Sequence, residues 1–170
     1  KNRYVELISE GFDMAIRLGE MEDSSLRARK VSETTQRLVA APSYFAQHGR
    51  PTRIDDLTEH RLLHYSNQSS ANVWKLMAPS GEERQVRGTG WLTVNDGQSL
   101  LNAAIKGLGI AYLPSFLYHK AMAEGLVADV MPELPRTVLG IYAVYPPGRL
   151  TQPKVRAFID FLVDQFSDKG

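Results

Sequence analysis

Three junctions between a strand-like and a helix-like segment carry the clearest potential for chemistry in this sequence: Ala41-Pro42-Ser43, Asn95-Asp96-Gly97 and Leu113-Pro114-Ser115. A helix N-terminus offers backbone N–H groups and the positive end of the helix dipole, which favour an anion by about 0.3–1 kcal/mol per terminus. Small ligands bind at such junctions in open α/β sheets, so we predict that the three face one cleft. A carboxylate-bearing metabolite fits this chemistry. Ordinary helix capping is the alternative at any single junction.

Enzyme chemistry has little support. The absence of cysteine excludes disulfides, thiolate metal ligands and cysteine nucleophiles. Ser43, His64 and Asp96 are the residue types of a hydrolase triad, but no serine lies in a G-x-S-x-G motif. The histidines lack the HExxH spacing of a zinc site; they are His48, His60, His64 and His119. We therefore predict no catalysis, no metal and no cofactor.

Two glycine pairs could suggest a nucleotide-binding loop. Gly107-Leu108-Gly109 follows a helical segment instead of opening one, and Gly88-Thr89-Gly90 leads into a strand-like segment. A dinucleotide fingerprint needs its glycines between a strand and the start of a helix, with a third glycine. Neither pair meets that requirement.

Composition narrows the class of protein further. The chain has 170 residues, 43% of them hydrophobic, and a formal net charge of +1, which is ordinary for a globular protein and gives no support for a nucleic-acid or membrane surface. The absence of cysteine is compatible with a reducing cytoplasm. No apolar run approaches the ~18–20 residues that span a bilayer. The chain opens at Lys1 without a methionine, and we expect it to be part of a longer protein.

The segment Val94–Pro114 predicts a β-α-β unit. Asn95 or Asp96 can cap the helix through a side-chain oxygen. Gly107 stands where a left-handed residue ends the helix, and Ile110 to Leu113 predict a short buried strand. The helix has one apolar face, made of Leu100, Leu101, Ala104 and Ile105.

Strand and helix patterns alternate along the rest of the chain. The final helix is the most strongly patterned, because Pro153 stands in its first turn and its apolar residues form one wide stripe from Val155 to Phe166. Alternation of this kind predicts an α/β fold with largely parallel sheets, arranged as two small lobes, the final helix completing the first. Helices are predicted at 4–10, 42–47, 54–60 and 115–124, and strands at 12–18, 36–41, 62–65, 73–77, 86–94, 126–131 and 139–145.

Several segments together resemble the effector-binding domain of LysR-type transcriptional regulators. Each is a soft pattern, but their order and spacing cover nearly the whole chain. They are VELISEGFDMAIRLGEMEDSSLRARKV, LVAAPSYFAQHGRPTRIDDLTEHRLLHY, VNDGQSLLNAAIKGLGIAYLPSFL, LVADVMPEL and IYAVYPPGRLTQPKVRAFIDFL.

The resemblance implies a two-lobed, periplasmic-binding-protein-like (type 2) fold, with two Rossmann-like subdomains and an effector cleft between them. We expect residues 1–64 and 146–170 to form subdomain I, and residues 65–145 to form subdomain II. By the family's pattern, the first β-α-β of subdomain I and the DNA-reading winged helix-turn-helix would lie outside this sequence.

The resemblance also suggests effector contacts, with the loop Gly19-Glu20-Met21 as a further wall of the cleft. His64 and Tyr65 would lie where the chain crosses between lobes, lining the cleft or packing as a hinge. Tyr112 and Trp91 could stack on a ligand ring or belong to the core, the latter being favoured. The candidate effector contacts are Gly19, Glu20, Met21, Pro42, Ser43, His64, Asn95, Asp96, Gly97, Tyr112, Leu113 and Pro114.

In the family, the helix after Asn95 contributes to a dimer contact. The candidate interface residues are Ser99, Leu100, Asn102, Ala103 and Lys106. The implied function is a cytoplasmic, effector-sensing and dimerising regulatory domain that meets DNA only through the winged helix-turn-helix and does not meet a membrane. The alternative is a solute-binding receptor of a transport system, which shares the two-lobed architecture.

Overall fold

The computed structural model of the chain describes residues 13–19, 25–66, 73–88, 91–148 and 152–167. The predicted helix at 4–10 lies outside these ranges. In chain order the elements are β1 (Ala15–Leu18), β2 (Arg27–Ala40), α1 (Pro42–His48), a 3₁₀ helix (Ile54–Glu59), β3 (Leu62–Tyr65), β4 (Val73–Met77), β5 (Glu83–Arg87), β6 (Leu92–Val94), α2 (Gly97–Ile105), β7 (Ile110–Pro114), α3 (Ser115–Ala123), β8 (Ala128–Asp129), β9 (Thr137–Tyr145) and α4 (Pro153–Ser167).

The chain divides into two compact units. The first consists of Lys1–Thr34 and Val138–Gly170, and the second is Thr35–Thr137. The sequence-based division at residues 64 and 145 falls elsewhere, because β3 pairs with both β6 and β7 inside the second unit. No helix in the described ranges is long and apolar enough to cross a membrane.

The first unit is an antiparallel arrangement covered by α4. Strand β1 pairs with β9 in antiparallel register, from Ala15 opposite Val144 to Leu18 opposite Ile141. The apolar stripe of α4 packs on this sheet, with Val155 and Ile159 buried among residues that include Ile141. Leu162 and Val163 of the predicted stripe also pack against this core, whereas Phe158 is 47% exposed and does not.

The second unit contains a mixed sheet in the order β2-β7-β3-β6. Strand β3 runs parallel to β6 and to β7, whereas β2 runs antiparallel to β7. The expectation of largely parallel sheets is therefore wrong for β2, as it is for the pairing of β1 with β9. Periodicity could not show this, because a buried strand has the same apolar pattern in either direction.

Both faces of this sheet are covered. The hairpin β4–β5, α1 and the 3₁₀ helix pack on one face, which we call the hairpin face; α2 and α3 pack on the other, the helical face. Successive side chains of a strand point to opposite faces. Thus Leu62 packs in the core of the hairpin face and Leu63 in that of the helical face.

The predicted strand at 86–94 is wrong as a single element. It is divided between β5, which ends at Arg87, and β6, which begins at Leu92. Gly88 ends the first part in close contact with the His64 ring, where a side chain at position 88 would not fit. The predicted strand at 126–131 is also shorter in the structure, where β8 covers only Ala128–Asp129.

Candidate functional site

Three parallel strands of the second unit end at the same edge of its sheet. Tyr65 of β3 is paired with Val94 of β6, and β7 ends beside them at Pro114. The amide of Ser66 donates to the carbonyl of Val94 over 2.8 Å, which ties the first two ends together. Gln36 of the antiparallel strand β2 lies opposite Pro114 at the same edge. We call this region the carboxyl end of the sheet.

Helices α2 and α3 both begin at the carboxyl end. Helix α2 follows Asp96, and α3 follows Pro114. Their first turns touch: a Cβ at position 97 would lie only 2.6 Å from Cδ1 of Leu117. Gly97 therefore permits a close approach, and the structure brings the predicted residues Asn95, Asp96, Gly97, Leu113 and Pro114 together.

Asp96 already occupies part of the α2 terminus. Its carboxylate accepts hydrogen bonds from the Ser99 amide at 2.8 Å and from the Ser99 hydroxyl at 2.6 Å. These bonds hold the pKa of the Asp96 carboxyl below its usual value. At α3 the capping residue is Pro114, which makes no side-chain cap hydrogen bond. An anion is therefore better accommodated at α3 than at α2, where it would meet the charge of Asp96.

Pro42 and Ser43 do not belong to this cluster. Strand β2 is antiparallel to β7, with Val39 opposite Ala111, so its last residues lie at the other edge of the sheet. A Cβ at Gly107, just before β7, would lie 2.5 Å from the Ser43 hydroxyl oxygen. The prediction that all three junctions face one cleft is therefore wrong, because α1 begins at the amino end of the parallel strands.

His64 is part of the packed interior of the second unit. Its side chain is 1% exposed and lies on the hairpin face, with its ring centroid 5.4 Å from that of Trp74. Since β3 pairs on both sides within the second unit, His64 and Tyr65 do not lie at a crossing between the two units. In this state the buried His64 ring is not available to a ligand.

The two aromatic candidates differ in position. Tyr112 is largely buried under the hairpin, where its hydroxyl donates to the Lys75 carbonyl at 3.3 Å; burial raises the pKa of Tyr112. Trp91 is 43% exposed before β6, with the Arg61 guanidinium 4.9 Å from its ring centroid. The expectation that Trp91 is a core residue is wrong, and it lies at the amino end of its strand.

The loop after β1 can be followed only in part. Gly19 has φ +82° and its amide donates to the Gly140 carbonyl at 2.9 Å, which ends β1 within the first unit. Glu20 and Met21 lie outside the described residues, so their predicted role stays a prediction.

The candidate interface residues on α2 fall into two groups, one exposed and one buried. Ser99, Asn102 and Lys106 are exposed. Leu100 and Ala103 are 3% and 8% exposed and pack in the core of the helical face. The prediction of these two as interface residues needs correction, because packing against the sheet leaves them no surface to offer.

Sequence reasoning missed the role of Arg37. Its guanidinium pairs with Asp129 at 2.6 Å and donates to the carbonyls of Leu134, Met131 and Pro132. These bonds fasten the segment after β8 to β2. The partners are about ninety residues away in sequence, so no local pattern could reveal them. Ser66 and Gln36 were also missed, although a polar residue directly after a buried strand was a usable signal for Ser66.

No group of three or more His, Cys, Asp or Glu side chains in the described part of the chain could hold a metal ion. The recognition groups at the carboxyl end are the N-termini of α2 and α3 with their backbone amides, and uncharged polar side chains. The Asp96 carboxylate, which caps α2, lies among them.

Comparison with known proteins gives a consistent result. The LysR substrate binding domain family matches residues 1–167. An uncharacterized HTH-type transcriptional regulator of Haemophilus influenzae is 37% identical over 154 residues, covering 91% of this chain and 53% of that protein. The HTH-type transcriptional regulator CrgA of Neisseria meningitidis is 31% identical over 166 residues, covering 97% of this chain and 55% of that protein. The chain thus spans about half the length of the curated relatives it matches.

Among solved structures, the regulatory domain of CrgA, described as a LysR-type transcriptional regulator, superposes with a TM-score of 0.80 at 30% identity. The match covers 96% of this chain and 79% of that domain. The predicted α/β, periplasmic-binding-protein-like fold class is confirmed.

Proposed function

Because the chain belongs to the LysR substrate-binding domain family, we propose that it is the effector-sensing and dimerising regulatory domain of a LysR-type transcription factor. Its effector is a small metabolite that carries a carboxylate. DNA contact belongs to a helix-turn-helix domain of the whole regulator, and the domain itself catalyses no reaction. A cytoplasmic location is part of this proposal.

The convergence of α2 and α3 at the carboxyl end of the sheet is the observation that best supports the proposal. The dipoles of these two helices point their positive ends at one small region. It lies beside the ends of β3 and β6, which the hydrogen bond from the Ser66 amide to the Val94 carbonyl joins. A carboxylate gains from the positive ends of both dipoles. With the α2 terminus capped by Asp96, the first turn of α3 is the favoured position for it.

The relatives reported above are transcriptional regulators, which favours regulation over a transport receptor. For assembly, the exposed residues Ser99, Asn102 and Lys106 on α2 are the remaining interface candidates. Sedimentation of the wild-type chain and a Lys106→Glu variant tests this: a weaker dimer in the variant supports the assignment, and an unchanged dimer removes it.

A charge-reversal pair tests the effector site. Ser115→Asp adds a carboxylate at the first residue of α3, where a negative charge favours the helix but repels an anion. Thermal unfolding is measured with benzoate and with succinate, and with benzamide as an uncharged control. The wild type gains stability from the carboxylates, whereas Ser115→Asp keeps its fold and loses that gain.

Ser43→Asp is the matched control, because it places the same charge at the N-terminus of α1, at the opposite edge of the sheet. It leaves the carboxylate response unchanged. Equal loss of response in both variants, or stabilisation by benzamide equal to that by benzoate, contradicts the proposed site.

A further inference from the structure

The packing between β3 and the hairpin β4–β5 contains a titratable group that the proposed function does not use. The His64 ring is 1% exposed and lies against Trp74 of β4 and Gly88 at the end of β5. A Cβ at position 88 would lie 1.6 Å from Nε2 of His64, so the ring fills space that only glycine leaves open. Within the described residues, Nε2 has no hydrogen-bond partner.

In the part of the chain that the structure describes, the elements around His64 supply no charge to offset a proton on its ring. On the hairpin, Trp74 and Val86 face inward, while the side chains of Lys75 and Arg87 are exposed. The neighbouring strand β7 contributes Tyr112, whose hydroxyl is bonded to the Lys75 carbonyl.

The remaining charged groups on these elements are also directed elsewhere. Arg84 pairs with Asp55, and Glu83 is exposed. Next to His64 the paired residue of β6 is Thr93. The stretches 67–72 and 89–90, which flank β3, β5 and β6 in sequence, contain no ionisable side chain. Burial alone lowers the pKa of His64.

A neutral imidazole can be buried with one nitrogen unbonded at modest cost, but an imidazolium needs partners for two N–H groups. The described residues of the closed hairpin and its neighbours provide none for Nε2. We propose that protonation of His64 releases the hairpin β4–β5 from the sheet. The protonated ring is accommodated only after the hairpin separates from the sheet and admits water to the ring. This inference goes beyond effector binding and holds whether or not the carboxyl end binds an anion.

The sign of the effect follows from linkage. The neutral form is favoured in the closed state, so the closure free energy is fully present above the ordinary histidine pKa and is lost as the pH falls below it. If the closed state binds no proton, the opening equilibrium rises about tenfold between about pH 7.5 and about pH 5.5. Acidification therefore exposes His64 and Tyr112 on the hairpin face, together with Trp74 of the hairpin, which packs against them.

Amide hydrogen exchange, expressed as protection factors, measures this opening on the chain as it exists. Strands β4 and β5 pair with each other, and a two-stranded hairpin that has left the sheet is only marginally stable in water. Their amides are therefore expected to lose about tenfold of their protection over that pH interval. Amides of α2 on the helical face are expected to keep theirs. In His64→Phe, which retains an aromatic ring without a titratable nitrogen, the hairpin loses this pH dependence; in His119→Gln, at an exposed position on α3, it is retained.

An NMR titration of the His64 ring in the wild type provides a second readout that needs no variant. A ring pKa at or above the ordinary histidine value of about 6.5 would overturn the proposal. So would hairpin protection that does not change with pH, or a pH dependence that persists in a folded His64→Phe.

Discussion

The two ends of the sheet in the second unit are built differently. At the amino end the backbone is packed tightly: a Cβ at Gly109 would lie 2.4 Å from the Arg61 carbonyl oxygen, which accepts the Ile110 amide at 2.8 Å. At the carboxyl end, polar residues follow each parallel strand, and Asn95 and Asp96 are exposed. The amino end is thus closely packed, whereas the carboxyl end exposes polar side chains.

The difference has a topological cause. Helices α2 and α3 follow strands that run parallel to β3, so they begin at the carboxyl end. Helix α1 follows β2, which runs antiparallel to β7, and therefore begins at the amino end beside Gly107. The direction of the preceding strand thus decides at which end of the sheet a helix begins. A helix N-terminus is a candidate for this ligand site only if that strand brings it to the carboxyl end, whatever the sequence of the helix.

The largest expected effect is from Gly109→Ala at the amino end. The added Cβ meets the Arg61 carbonyl, a backbone atom that cannot move without breaking the pairing of β3 with β7. We expect a loss of about 3 kcal/mol in the free energy of unfolding, measured with urea. Gly125→Ala, with φ +76° and no heavy atom within 4 Å of its Cβ, is the control and costs about 1 kcal/mol. Equal losses would show that the amino end is not sterically special.

Tyr44→Phe tests the polar part of the same end. The Tyr44 ring is fully buried, and its hydroxyl is 2.7 Å from Nδ1 of His60 and accepts the Arg61 amide at 3.2 Å. Removing the hydroxyl leaves both partners unsatisfied, at a cost of about 1–3 kcal/mol in the free energy of unfolding. Tyr118→Phe, on the helical face, is a matched substitution for comparison. An unchanged urea midpoint in Tyr44→Phe would contradict the expected role of the bonds.

His60 should give the amino end a pH dependence of its own. Burial and the neighbouring His48 lower the pKa of His60. The neutral form is therefore favoured in the folded chain, and this stability is present above about pH 6.5 and lost as the pH falls through the lowered pKa. Urea unfolding at pH values on either side should show a smaller fall for His60→Gln than for the wild type. An identical fall would assign the pH dependence to other groups.

The smallest effect is expected at the carboxyl end. Asp96→Ala removes the α2 cap, and we expect the melting temperature to fall by a few degrees, while Asp96→Ser retains a capping oxygen and most of the stability. Thermal unfolding followed by circular dichroism measures this. A loss as large as that of Gly109→Ala would show that the two ends are equally structural.

Sequence patterns predicted the local helices and strands well, but they predicted the relative directions of the paired strands poorly. The unit at 94–114 was predicted closely, because Asp96, the apolar helix face and Gly107 each act within a few residues. The edge to which Ser43 belongs depends on the pairing of β2 with β7, which no local pattern encodes. Leu62, Leu63 and His64 are all buried, since both faces of β3 are covered, so no alternation marked His64 as facing the hairpin.

Titration of the chain with benzoate, followed by the NMR amide shifts of each residue, tests the central claim most directly. We predict saturable shifts at Gly97–Ser99 and Ser115–Leu117, with none at Ser43–Phe45 and none caused by benzamide. Shifts confined to α1, or no shifts in the first turns of α2 and α3, would contradict the assignment of the carboxyl end as the effector site.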